Sequence, residues 1–306
     1  MLRIGIIGNQ QNVQSSIDQI NGLDNCVFEG FYDGGNSIGG SKNFSELEQL
    51  MEVTDAFYVT NPIHNAAHAE KLVRHQKHCL IESPFAPSSE AGSYFINLVR
   101  EADVKIHISN PDRYNDAFHN TSPYFQNPVF IETNRLQTYS KETKDLSLVM
   151  NLMIHDIDII LNVVKSSVKS VSATGVAVVS DQPDIINARI EFDNGCIANL
   201  TASRINPKAA HKINFYQQSN FINVDYLNKK STVYDLGTKK SQRKQPEQLN
   251  NVFSFNADSE QNTLSEMSFF VDAITKNTPS ISMANCLTAL EIAYAINDKV
   301  RGAFSL

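Results

Sequence analysis

Short apolar runs alternate with amphipathic stretches through the first hundred residues. Residues 2–7 (LRIGII) end at Gly8, and 26–33 (CVFEGFYD) end in Asp33. Three more runs follow at 56–60 (AFYVT), 79–82 (CLIE) and 104–109 (VKIHIS). Each has the length of a buried strand and is bounded by polar or turn residues. Between them the apolar positions fall at helical spacing. Phe44, Leu47 and Met51 share a face over 44–53, Ala67, Leu72 and Val73 over 64–75, and Phe95, Leu98 and Val99 over 88–102. Ser88 and Ser89, with Glu90 behind them, mark the start of that last helix. Strand–helix alternation at this spacing implies parallel strands with crossovers, an α/β doubly wound sheet. Ligands of such sheets bind beyond the carboxyl ends of the strands. That places Gly8, Asp33, Thr60-Asn61-Pro62 and Glu82-Ser83-Pro84 along one rim.

After Pro111 the rhythm changes. Residues 129–139 read as a strand and 146–164 (LSLVMNLMIHDIDIILNVV) as one long apolar helix. Strand patterns follow at 169–180, 185–193, 196–205, 211–217, 221–226 and 231–236, with Asp193-Asn194-Gly195 as a hairpin turn. One helix followed by a run of strands predicts a largely antiparallel open sheet with that helix on one face. Residues 237–251 are polar and locally basic, which predicts a surface loop, and two helices near 260–277 and 284–301 close the chain. The expected division is 1–118 and 119–306, with the last helix packing back on the first domain.

Composition narrows the possibilities. Of 306 residues, 42% are hydrophobic and 19% charged, too apolar for a disordered chain. Lys+Arg is 26 and Asp+Glu 33, so 26 − 33 gives a net charge of −7, which argues against a nucleic-acid partner. Cys26, Cys79, Cys196 and Cys286 form no C-x-x-C pair, so neither a zinc ribbon nor a disulfide scaffold is expected, and no metal is assigned. The apolar start is far too short for a membrane span, and a soluble cytoplasmic protein without a membrane partner is the expectation.

A dinucleotide site calls for G-x-G-x-x-G after the first strand, where the glycines permit a tight turn and close approach of the pyrophosphate. Here the segment is Gly8-Asn9-Gln10-Gln11-Asn12-Val13, with only the first glycine retained. Gln10 puts a side chain where backbone would meet phosphate. An acid at the end of the second strand, Asp33, suits the adenosine ribose hydroxyls, while an Asp-Gly-Gly turn is its bland alternative. Asn151, His155 and Asp158 stand at i, i+4 and i+7 of the long helix, three polar groups on one face of an apolar segment. Burying them without partners would cost several kcal/mol, so a cavity or a hydrogen-bond network is implied. As a zinc site the set is poor, and His64/His68 and His75/His78 read as surface helix residues.

Two segments carry a resemblance. Lys77-His78-Cys79-Leu80-Ile81-Glu82-Ser83-Pro84 resembles G-K-H-V-x-x-E-K-P, and Asn151 to Asp158 resembles D-x-G-x-H-x-x-D, motifs of the glucose–fructose oxidoreductase and inositol dehydrogenase family (Gfo/Idh/MocA). The stretch from Pro128 to Ser203 is similar to a subgroup found beside lipid A genes, and some family members oxidise a UDP-amino sugar at a ring hydroxyl. The resemblance implies an N-terminal Rossmann domain, a C-terminal α/β domain with an open antiparallel sheet, and hydride transfer between NAD or NADP and a sugar-like alcohol. Carried over, it makes His155 the proton acceptor, with Asn151 at the family's aspartate and Ser83 at its lysine. Gly8, Gln10, Asp33, Thr60, Asn61, Pro62 and Glu82 fall to the cofactor, and Asp158 and Arg135 to the substrate. It further implies a homodimer or tetramer through the open sheet, with Ile190, Phe192, Ile197 and Leu200 offered for either face. Gln10, Val13, Ser83 and Asn151 depart from the family pattern. Weak cofactor affinity is therefore expected. The competing expectation is a catalytically silent relative that serves as a ligand-binding or partner subunit.

Overall fold

The structure is a computed structural model, and it describes every residue except 9–12, 34–42, 61, 141–145, 238–249, 257–264, 279–281 and 305–306. Two compact units emerge, Met1–Pro111 with Leu264–Leu290, and Asp112–Thr263 with Glu291–Leu306. The chain thus changes unit at three points, where the sequence pattern suggested one boundary near 118.

The first unit opens with β1 (Leu2–Ile7), α1 (Val13–Asn21), β2 (Cys26–Tyr32), α2 (Leu47–Val53) and β3 (Ala56–Val59). It continues through α3 (Pro62–Arg74), β4 (His78–Ile81), α4 (Ser89–Ala102) and β5 (Ile106–Ile108). All neighbouring strands pair in parallel, in the order β2-β1-β3-β4-β5. Such strands are covered on both faces, which is why they read as continuous apolar runs. Ile4, Ile6, Phe57 and Ile81 are fully buried here, each worth about 1.5–3 kcal/mol of transfer free energy. Ser88 caps α4 as its pattern predicted, its Oγ accepting from the Ala91 N–H at 3.2 Å. The strand order reverses between β1 and β3, and that reversal marks the crevice where a doubly wound sheet binds its ligand.

The second unit carries α5 (Asp116–His119), β6 (Phe130–Leu136), a π-helical turn (Val149–Met153) and α6 (Ile154–Val163). Seven strands follow: β7 (Val168–Val176), β8 (Ile185–Phe192), β9 (Ile197–Ser203), β10 (Ala210–Tyr216), β11 (Asn220–Asp225), β12 (Lys230–Asp235) and β13 (Asn250–Asn256). They form one eight-stranded sheet in the order β13-β12-β11-β10-β6-β9-β8-β7, antiparallel except where β6 lies parallel to β9. Gly195 closes the β8–β9 hairpin at φ +84°, a conformation that favours glycine, and the Cys196 N–H donates to Asn194 Oδ1 at 3.0 Å. Strand β13 overlaps the end of the expected loop 237–251, whose residues 238–249 lie outside those described.

The chain closes with α7 (Glu266–Thr275) and α8 (Met283–Phe304). Met267, Phe270 and Val271 of α7 join the core of the first unit beside Ile4, Ile6 and Leu80. No helix among the described residues is long and apolar enough to cross a membrane. All four cysteines are free and buried.

The structure decides which face of the open sheet takes the apolar set, a choice the sequence left open. Ile186, Ala188, Ile190 and Phe192 of β8 and Leu200 of β9 all point to the covered face. Glu132, Asn187, Arg189, Asn199 and Thr201 line a shallow hollow on the opposite face. The outer surface of these strands is therefore mainly polar, because their side chains alternate with the pleat and the core claims the apolar set.

Candidate functional site

In the first unit, the ends of β1, β2, β3 and β4 bring the expected rim together. Gly8 follows β1 at φ +139°, and a Cβ built on it would lie 1.7 Å from Thr60 Oγ1. Only glycine fits beneath the threonine at the point where the sheet order reverses. Backbone bonds lock the two ends, with the Gly8 N–H donating to the Tyr32 carbonyl at 3.1 Å and the Thr60 N–H to that of Ile7 at 2.8 Å. Asp33 directly follows β2 and is half-buried. Gln10 and Asn61 lie outside the described residues, and Pro62 is the first residue of α3.

Glu82 and Ser83 follow β4, and the Ser83–Pro84 bond is cis. The Glu82 carboxylate accepts from Tyr58 Oη at 2.8 Å, across from the neighbouring strand β3. Burial and the adjacent carboxylate push the Tyr58 phenol far above its ordinary pKa, so it stays a hydrogen-bond donor. At the end of β5 a second carboxylate is satisfied. Glu266, in the first turn of α7, accepts from His107 Nε2 at 3.2 Å, Ser109 Oγ at 2.5 Å and the Asn110 N–H at 2.7 Å. Nothing in the sequence pattern pointed to Glu266 or Tyr58, since each partner lies far away along the chain.

In the second unit the expected helix begins with a π turn. The Ile154 N–H donates to the Val149 carbonyl five residues back, and Asn151 lies within that turn, four residues before His155. Asn151 is exposed, His155 half-buried, and Asp156 and Asp158 buried. Asp158, expected toward the substrate, is clasped through both carboxylate oxygens by Arg113.

Arg135, also expected toward the substrate, is the centre of a buried network. Its guanidinium donates to Asp156 Oδ1 from Nε at 3.1 Å and from a terminal nitrogen at 2.7 Å, and it also bonds Asp112. His211 Nε2 lies 2.9 Å from the same Asp156 oxygen, and Tyr226 stacks on the His211 ring at 4.2 Å. Burial opposes the charge on Asp156, but Arg135 and His211 outweigh it and hold the carboxyl well below its usual range. Burial likewise works against the Arg135 cation, and Asp156 with Asp112 more than restores it. Asp112, Asp156 and His211 bring ligand atoms within 4.8 Å of one another, close enough for a cation. The Arg135 guanidinium already fills that role, so we read the cluster as an ion-pair network and assign it no metal.

His155 stands next to Asp156 on this scaffold. Burial lowers its pKa first and the Arg135 cation lowers it further, against the upward pull of Asp112, Asp156 and Asp158. A neutral imidazole at neutral pH is the form that can accept a proton. The network residues Asp112, His211 and Tyr226 escaped sequence reasoning. The one available signal was the unexplained acid Asp156 beside His155 in an otherwise apolar run.

A doubly wound parallel sheet in one unit and a mixed, mostly antiparallel sheet in the other define the fold class of the chain. Residues 118–219 match the GFO/IDH/MocA C-terminal domain, the family whose motifs the sequence resembles. A UDP-N-acetylglucosamine 3-dehydrogenase of Acidithiobacillus ferrooxidans is 31% identical over 196 residues, which span 63% of this chain and 63% of that protein. A solved structure of that enzyme superposes with a TM-score of 0.88 at 24% identity, over 100% of this chain and 99% of the other. An NAD-binding protein from Listeria innocua gives 0.81 at 16% identity, over 99% and 95%. A levoglucosan dehydrogenase in complex with NADH and L-sorbose gives 0.80 at 15% identity, over 98% and 97%. At these identities the structural likenesses establish the fold.

Proposed function

We propose that this chain is an oxidoreductase that moves hydride between NAD or NADP and a ring hydroxyl of a sugar or nucleotide sugar, with His155 as its general base. The observation that carries the reading is the state of His155. It is a half-buried imidazole in the matched domain whose pKa burial and the Arg135 cation lower, on the helix whose motif resembles the family's catalytic segment. The relatives named as acting on UDP-N-acetylglucosamine and on levoglucosan support a sugar-like substrate.

The residues present fit a dinucleotide in part. Asp33 stands half-buried at the end of β2, where a carboxylate accepts hydrogen bonds from adenosine ribose hydroxyls and repels a 2′-phosphate. Gly8 keeps the crevice at the β1/β3 reversal free of a side chain. Glu82 is fixed by Tyr58 and enters as a further cofactor contact. Thr60 ends the run after β3 and Pro62 opens α3, whose N-terminus carries partial positive charge, with Asn61 proposed between them as a further cofactor contact. A nicotinamide bound there would supply the hydride acceptor. His155 takes the hydroxyl proton as the carbon–oxygen bond becomes a carbonyl. Asn151 and Ser83 stand at the family's aspartate and lysine positions and contribute neutral hydrogen bonds where those would supply charge. Arg135 and Asp158 enter as supports, because their charges are already taken up by Asp112, Asp156 and Arg113.

Purified protein incubated with NAD⁺ and UDP-N-acetylglucosamine is expected to accumulate reduced nicotinamide and a keto-sugar nucleotide. Absence of both products with every nucleotide sugar and hexose tried, in either redox direction, would remove the reading. A cytoplasmic location goes with this proposal, as does self-association into a dimer or tetramer through the outer face of the eight-stranded sheet. That face carries Arg189 beside Glu132 and Glu191, opposite charges on which two copies could pair.

A further inference from the structure

Four chain segments far apart in sequence meet around Asp156. Strands β6 and β10 pair antiparallel with Arg135 directly opposite His211, so both side chains leave the sheet together. Asp156 comes to them from α6 and Asp112 from the turn Pro111–Tyr114. Asp156 is 1% exposed and His211 5%, so this is a built interior network and not a chance surface pairing. A network of this kind costs desolvation that apolar residues would avoid, and it calls for a role other than stability. The residue it holds in place is the neighbour of Asp156, His155.

We propose that Arg135 is a positioning residue for His155. By gripping Asp156 from β6 it fixes the turn of α6 that carries the imidazole, and it places a permanent cation beside a base that must begin turnover uncharged. The groups that surround His155 have opposing effects. Asp156 and Asp158 lie on its own helix, Asp112 on the turn Pro111–Tyr114 and Arg135 on β6, and these in turn contact Arg113 and His211, on whose ring Tyr226 stacks. Arg113 is committed to Asp158. Arg135 is thus the cation that offsets Asp112 and Asp156.

The inference rests on reading His155 as the proton acceptor, and its test does not depend on turnover. Full-length protein labelled at its histidine rings is titrated by NMR, with the His155 signal assigned through its loss in His155→Gln. In Arg135→Gln the His155 midpoint is expected to rise by about one pH unit, as removal of a nearby charge of like sign does, and Arg135→Lys is expected to return it toward the parent value. Asp112→Asn, at a partly exposed position, is expected to move the midpoint the other way. If Arg135→Gln fails to fold, Asp112→Asn carries the test alone. A midpoint unmoved in the folded variants overturns the proposal. In an active enzyme the acid limb of kcat/KM should follow the same displacements, which a purely structural role of Arg135 would not produce. Displaced midpoints without any turnover would leave the network standing and sink the proposed activity; turnover with fixed midpoints would do the reverse.

Discussion

Replacing His155 with glutamine is expected to lower kcat for sugar oxidation by roughly 10²–10⁴-fold, the usual loss when a positioned general base is removed. KM should change far less, because glutamine keeps size and hydrogen bonding. The parent rate is expected to fall as pH drops below the lowered His155 pKa, since the imidazole then carries a proton and cannot accept another. That acid limb should vanish in the variant. A glutamine variant that retains most of the parent activity, with the same pH profile, would take the base role away from His155.

The largest expected loss of stability lies elsewhere in the second unit. Asp184 is fully buried just before β8, and its Oδ2 accepts from the N–H groups of Val178, Val179 and Ser180 at 2.7–3.1 Å. Its Oδ1 accepts from Ser180 Oγ at 2.7 Å and lies 3.7 Å from Arg204 Nε. One carboxylate thus closes the β7–β8 connection and balances a buried guanidinium. Asp184→Ala is expected to cost about 3–5 kcal/mol, because it strands a cation and several backbone donors together. Urea denaturation measures it directly. Burial raises the Asp184 pKa, but the hydrogen bonds more than reverse that, and its folded value lies below the unfolded one. The sign follows from linkage. The stabilisation is complete above the ordinary carboxyl range and is lost as pH falls through the folded value, so parent and variant should converge in acid. A loss under 1 kcal/mol at neutral pH would show that water replaces the carboxylate at little cost.

The two sheets and their helices were legible because burial imposes its period on the chain. Parallel strands covered on both faces left unbroken apolar runs, and the mixed sheet left alternation. The rim followed from strand ends alone, so Gly8, Asp33, Thr60 and Glu82 could be placed before any coordinates. The π turn at Val149–Met153 was not legible, since an extra residue in one turn leaves the apolar composition unchanged. Strand β13 was hidden by its polar start, Asn250-Asn251, which continues the polar stretch before it. The Arg135 network was invisible for a different reason. Its members sit on β6, α6, β10 and the turn at Asp112, and only the register of β6 on β10 sets Arg135 against His211. The polar outer face of the sheet also needed the structure, because an alternating strand does not reveal which set of side chains the core will take.

The account stands or falls on whether the altered loop after β1 still accepts a nicotinamide nucleotide. Calorimetric titration of the purified protein with NADH, repeated with NADPH, addresses this most directly. Binding of NADH in the micromolar range is the predicted result, with NADPH weaker because Asp33 opposes a 2′-phosphate. No heat with either nucleotide at millimolar concentration would contradict the account and leave a protein that keeps this fold for binding a ligand or a partner.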